Sequence, residues 1–183
     1  MAAFNPAGAT GIVVTRKKPG HFVVLTEDGR IDAYLAQNGL KLFDALEKRT
    51  AINVTNAFRG PNDMSEPLRP AASLKTIDPY DVTIAMPAED GEPAVSDFQV
   101  DAWVKFRVVY DVVLTATPFI ISGVMLLLPS QDPEALSERG TELFLPILGP
   151  TVDVSGVVLR DTPRDSILVN RSHIRRVKAA MRS

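Results

Sequence analysis

No cysteine occurs among the 183 residues. Disulfides, thiolate metal sites and thiol nucleophiles are excluded together, and the chain fits a reducing compartment. Histidine is nearly as scarce: His21 and His173 stand far apart, too few for a histidine metal site or triad, and both read as turn residues. Neither charge dominates. Twenty basic and 22 acidic side chains leave a net charge of −2, so no global field recruits nucleic acid or an anionic membrane. Long hydrophobic runs are missing too. The longest, "PFIISGVMLLLP" (Pro118 to Pro129), falls short of the roughly 20 residues that span a bilayer and reads as a buried strand. The start, "MAAFNPAGATG", lacks a charged end followed by an apolar core, so no signal peptide is expected. Its "GATG" lacks the strand and Lys of a phosphate loop. The expectation is a cytoplasmic protein with no membrane segment, no cofactor, no metal and no catalytic residues.

What is present is a rhythm. Apolar residues make up 45%, enough for a packed core. "VVLT" occurs at Val23–Thr26 and again at Val112–Thr115, 89 residues on. "DALEKR" (Asp44 to Arg49) is echoed by "EALSER" (Glu134 to Arg139) at 90. Ile52 and Val54 match Leu143 and Leu145 at 91, and "LKTIDPYDV" (Leu74 to Val82) matches "LVNRSHIRR" (Leu168 to Arg176) at 94. The offset grows and never reverses, as loop insertions would make it do. An internal duplication of about 80 residues is the expectation.

Each unit has a physical reading. "HFVVLT" and "YDVVLT" are β-branched strands. Asp28-Gly29 marks a hairpin. "LKLFDALEKR" spaces Leu42, Phe43 and Leu46 for a short helix. "DPEALSERG" offers Asp132 as N-cap, Pro133 at the first helical position and Gly140 as terminator. A third strand, a loop and two short strands follow. In the second unit "QVDAWVKFRVVYDVVLT" alternates, with Val100, Ala102, Val104, Phe106 and Val108 on one face, and predicts one long strand. Its counterpart in the first unit is broken at Lys18-Pro19-Gly20. The chain therefore reads as mainly β: two tandem small β-barrels, each a β-β-α-β-β-β repeat with a short helix. The first covers residues 1–87 and the second 98–183, with an acidic linker over 88–97.

That order resembles the Sm-like and SH3-like small barrels. "VVLTEDGRIDAYL" is similar to the first Sm motif, and "ILVNRSHIRRV" to the last two strands of bacterial Hfq-type Sm proteins. Both halves also resemble a bacterial domain family of unknown function with an "Asp-x-Leu" helix after the second strand. The Hfq-type resemblance implies RNA contact through a Lys-His pair in the last turn. Here Arg171 and Ser172 occupy those places and His173 is one place late. A cyclic-dinucleotide reading rests on Arg171-x-x-x-Arg175 and "DVSGVV" (Asp153 to Val158); the order is reversed and Val158 replaces the final Gly.

Charge distribution completes the picture. From Arg160 to Ser183 seven basic residues face two acids, and from Asp78 to Asp101 there are seven acids and no base. The paired acids Glu27-Asp28 and Glu89-Asp90 read as solvated. The expected function is a non-catalytic protein-interaction or assembly module, with a homo-oligomer or a protein as partner. The alternative is Sm-like RNA binding through Arg171, Arg175, Arg176 and Lys178. Binding of a cyclic dinucleotide is the remote third.

Overall fold

The computed structural model describes residues 20–37, 39–94, 97–136, 140–159, 162 and 165–182. Of the predicted break at Lys18-Pro19-Gly20 only Gly20 is among them, and the N-terminal "GATG" lies outside. The described residues open with a hairpin of β1 (His21–Thr26) and β2 (Gly29–Leu35). Thr26 pairs with Gly29, leaving Glu27 and Asp28 as a two-residue turn where the Asp-Gly signal predicts one. α1 (Leu42–Glu47) buries Leu42, Ala45 and Leu46, the i, i+3, i+4 face of a short helix. β3 (Ile52–Gly60) returns along β2. The short strands β4 (Arg69–Pro70) and β5 (Thr76–Ile77) pair with β3, and β6 (Val82–Pro87) pairs with β1.

The second half begins with α2 (Asp97–Phe106), then β7 (Val108–Ala116) and β8 (Phe119–Leu127). A 3-10 turn over Pro133–Ala135 follows. Asp132 caps it as expected, its carboxylate accepting from the Glu134 N–H at 3.0 Å. Then come β9 (Phe144–Val154), β10 (Val157–Val158), β11 (Ser166–Asn170), a 3-10 turn at Arg171–His173, and β12 (Arg176–Met181).

All pairings are antiparallel and build one sheet in the order β12-β7-β8-β9-β11-β6-β1-β2-β3-β4, with β10 beside β9 and β5 beside β3. The mainly β expectation holds. The sheet, however, is continuous and open at its ends, not two closed barrels. The reason lies in β11. One of its edges pairs with β9 and the other with β6, through Leu168↔Ala85 and Val169↔Ile84. A strand edge used to join the halves is not available to close a barrel.

The middle strands are buried on both faces. Because side chains alternate along a strand, Val23 and Leu25 join Ile84, Met86, Ile167 and Val169 in one core, while Phe22 and Val24 join Ala85 and Leu168 in another. The first core also holds Val177 of β12, although five strands separate β12 from β1 in the sheet order. The sheet therefore curls around it. The second core is lidded by α1.

The long strand predicted through Val100 to Val108 is corrected: residues 97–106 are helical. Val100 and Trp103, three residues apart, pack on the second core. The Arg107 guanidinium, four further on, sits 4.6 Å from the Trp103 ring centroid. Spacings of three and four mark one helical face. Val104 and Phe106, apolar in the alternating reading, are left exposed.

Candidate functional site

Residues paired across strands share a face. Arg176 pairs with Thr115, Lys178 with Val113 and Ala180 with Asp111; those three pair in turn with Ile120, Ser122 and Val124 of β8. The interleaved residues Val177, Leu114, Val112 and Ile121 are buried in the core. The opposite face of β12, β7 and β8 thus looks to solvent. It carries a basic row on the outermost strand and β-branched residues beside it, with Val113 40% and Ile120 49% exposed.

The face is shallowly hollow, about 530 Å³, lined among others by Val113, Ser122, Gly123, Gly149, Lys178 and Arg182. Gly123 is required there. A Cβ at this position would lie 2.5 Å from Ile147 Cγ2 and 2.8 Å from the Leu148 carbonyl oxygen. Its small size lets β8 press onto β9 where their register shifts. Arg182 grips the Asp111 carboxylate at 2.7 Å, with both side chains about half exposed. A pair so exposed contributes little stability. Arg175, Arg176 and Lys178 have no acid within ion-pair distance among the described residues.

Of the four residues singled out in sequence, Arg176 and Lys178 stand together on this face. Arg175 is exposed at the start of β12, where its N–H donates to the Thr115 carbonyl at 2.8 Å. Arg171 is elsewhere, half-buried in the 3-10 turn with its guanidinium close to Gly140. Arg182 belongs to the face and was not singled out. Only strand alternation reveals it, since it lies two residues beyond Ala180 at the end of the chain.

A second concavity, about 380 Å³, opens at the β1–β2 turn. Its walls carry the exposed acids Glu27, Asp28, Asp78 and Asp81, with Arg59 and His173. His173 spans the two halves. Its Nε2–H donates to the Tyr80 carbonyl at 2.7 Å, and Nδ1 lies 3.1 Å from the Thr83 hydroxyl. On the nearby β3–β4 loop the Ser65 hydroxyl, at 2.6 Å, and then the Ser65 N–H, at 3.0 Å, hold the Asp63 carboxyl below its ordinary range.

His21 also proves to be more than a turn residue. It starts β1, and its ring is bracketed by Asp32 and Asp90. The solvated reading of Asp90 is corrected accordingly. A pairing over 69 positions leaves no local trace in sequence. Among the described residues no three His, Asp or Glu side chains converge as a metal site, and no helix is long and apolar enough to cross a membrane. Compared with family models, with curated proteins and with solved structures, the chain matches none.

Proposed function

We propose that the chain is a non-catalytic assembly module, built by duplication of one small unit, that docks the basic face of β12, β7 and β8 onto a second copy. Arg176 and Lys178, exposed beside Val113 and without an ion-pair partner among the described residues, carry this reading. Exposed cations next to exposed β-branched side chains suit a surface bearing carboxylates. The same chain offers one, in Glu27, Asp28, Asp78 and Asp81 around the acidic cleft. Two different patches meeting make a head-to-tail contact, which propagates into rings or filaments.

Duplication is supported by register. The hairpins close at Thr26↔Gly29 and Ala116↔Phe119, both 90 residues apart. The pairs Asn53↔Thr76 and Phe144↔Asn170 stand apart by the 91 and 94 of the sequence blocks. Both halves share one strand order, β6-β1-β2-β3-β5 and β12-β7-β8-β9-β11. That order is also what favours the small-barrel resemblance.

The test is a mass measurement of the full chain in solution, with and without nuclease, at low and high salt. An assembly that survives nuclease, dissociates in salt and is lost in Arg176→Glu/Lys178→Glu is the expected result. A chain that stays monomeric at low salt overturns the reading. Excess mass removed by nuclease transfers the face to RNA, with phosphate contacts from the same residues.

A further inference from the structure

The turns that follow β5 and β11 fix which residues of the two halves correspond. Strand pairing alone allows more than one overlay of β5 on β11; the turns allow one. The Asp78 carboxylate accepts from the Tyr80 N–H at 2.9 Å, and the Asn170 side-chain oxygen accepts from the Ser172 N–H at 2.9 Å. The Val82 N–H then donates to the Pro79 carbonyl, and the Ile174 N–H to the Arg171 carbonyl. Each contact recurs 92 residues on. The next strands keep that spacing: Val24 pairs with Ala85, and its hairpin counterpart Leu114 pairs with Val177. Thus β5 corresponds to β11 and β6 to β12.

Within the chain β11 and β6 meet, through Leu168↔Ala85 and Val169↔Ile84. Their counterparts do not. β12 ends the sheet and β5 pairs with β3, so among the described residues each has an edge with no strand partner. Such an edge is a template for another strand. The 3-10 turn over Pro133–Ala135 also lies against β12, but the internal junction needs only two residue pairs.

The same correspondence accounts for the acidic cleft. Its walls include Ile31 and Ile77. Their counterparts Ile121 and Val169 lie in the first core together with Ile84 and Met86 of β6. The counterparts of Ile84 and Met86 are Arg176 and Lys178. Asp78 and Asp81 of the cleft stand where the second half has Asn170 and His173. Both of those reach across the internal junction, Asn170 to the Val82 carbonyl at 2.8 Å and His173 to the Thr83 hydroxyl at 3.1 Å. The counterpart of Thr83 is Arg175.

We propose that β12 of one copy adds to the free edge of β5 in the next, in the register of the internal junction, with Val177 opposite Thr76 and Arg176 opposite Ile77. This join presupposes the assembly module proposed above and adds to it a backbone register. Arg176 and Lys178 enter the acidic cleft, Arg175 faces Asp81, and the sheet runs on from copy to copy. Two features keep the join weaker than its internal model. Asp78 cannot donate to carbonyls as Asn170 does, and Lys75 comes opposite Lys178.

The chain has no cysteine, so introduced thiols have no competitors. Full chains carrying Thr76→Cys are mixed at low salt with full chains carrying Val177→Cys and oxidised, and the mixed disulfide is followed on non-reducing gels. Directly opposed cross-strand residues lie within disulfide reach. With Lys75→Cys in place of Thr76→Cys the thiol turns to the other face, and the disulfide is expected to form at least about tenfold more slowly. Asp78→Asn supplies the missing donor and is expected to tighten assembly about fivefold or more, read from solution mass across concentration. Docking of the basic face by charge alone predicts the reverse, since an acid is lost. Equal disulfide rates, or an Asp78→Asn chain that assembles no more tightly than the wild type, overturn the edge pairing and leave charge docking standing. A chain that is monomeric at low salt overturns both. Should Val177→Cys not fold, Asp78→Asn decides alone.

Discussion

The side-chain amide of Asn170 donates to the backbone carbonyl of Val82 at 2.8 Å, tying the end of β11 to the start of β6. Its other N–H reaches the Pro79 carbonyl at 3.1 Å, while its oxygen accepts from the Ser172 N–H and hydroxyl. Asn170 is fully buried, and both ends of its amide are used. Asn170→Ala takes the donor from the Val82 carbonyl and the acceptor from the Ser172 N–H, while the Pro79 carbonyl keeps the Val82 N–H at 3.3 Å; the change costs about 1–3 kcal/mol in urea unfolding. Asn170→Asp replaces the donor by an acceptor facing those carbonyls and is expected to cost no less.

Glu47, at the end of α1, makes the converse tie. Its Oε1 accepts from the Leu143 and Phe144 N–H groups at 2.9 and 2.8 Å. Those are the groups that open β9. Glu47→Gln keeps an acceptor there and loses only the charge, so a change of about 1 kcal/mol is expected. Glu47→Ala leaves two N–H groups without a partner and costs about 2–3 kcal/mol. The difference between the two midpoints in urea is the measurement. Equal losses would show that packing of the side chain, not its acceptor, matters.

What sequence could reveal was local. Asp28-Gly29 places a hairpin and Asp132-Pro133 a helical start because each acts within a few residues. Leu42 to Leu46 declares its helix by spacing. The stretch from Val100 to Val108 satisfied alternation, yet its contacts fall on Val100 and Trp103. Short apolar patterns do not separate periods two and three and a half unaided. The pairing of β6 with β11 was invisible, since any apolar strand can add to an open edge. For the basic face, the charges were legible but their gathering was not: Arg176 and Lys178 share it, whereas Arg171 turns away.

Gly123 lines that face, and a Cβ there would point to the core side, where its partner Val112 is buried. Gly123→Ala drives a methyl into Ile147 and the Leu148 carbonyl. Overpacking of this kind costs about 1–3 kcal/mol. Because β8 must lift from β9 to admit it, assembly through the face is expected to weaken along with stability. Thermal unfolding and solution mass, measured on the same variant, check both.

The repeated VVLT provides the sharpest contrast. By its letters Val24 corresponds to Val113, but by hairpin position Val24 corresponds to Leu114, since the two turns are 90 residues apart and not 89. One residue of slip turns a side chain to the other face of a strand. Val24 and Leu114 are fully buried, whereas Val113 is 40% exposed. Val24→Ala is therefore expected to cost roughly 2 kcal/mol and Leu114→Ala roughly 2–5. Val113→Ala should stay within about 0.5 kcal/mol while loosening assembly through the basic face. Urea midpoints for the three variants decide which correspondence holds: if Val113→Ala destabilises as Val24→Ala does, the alignment by letters is the physical one.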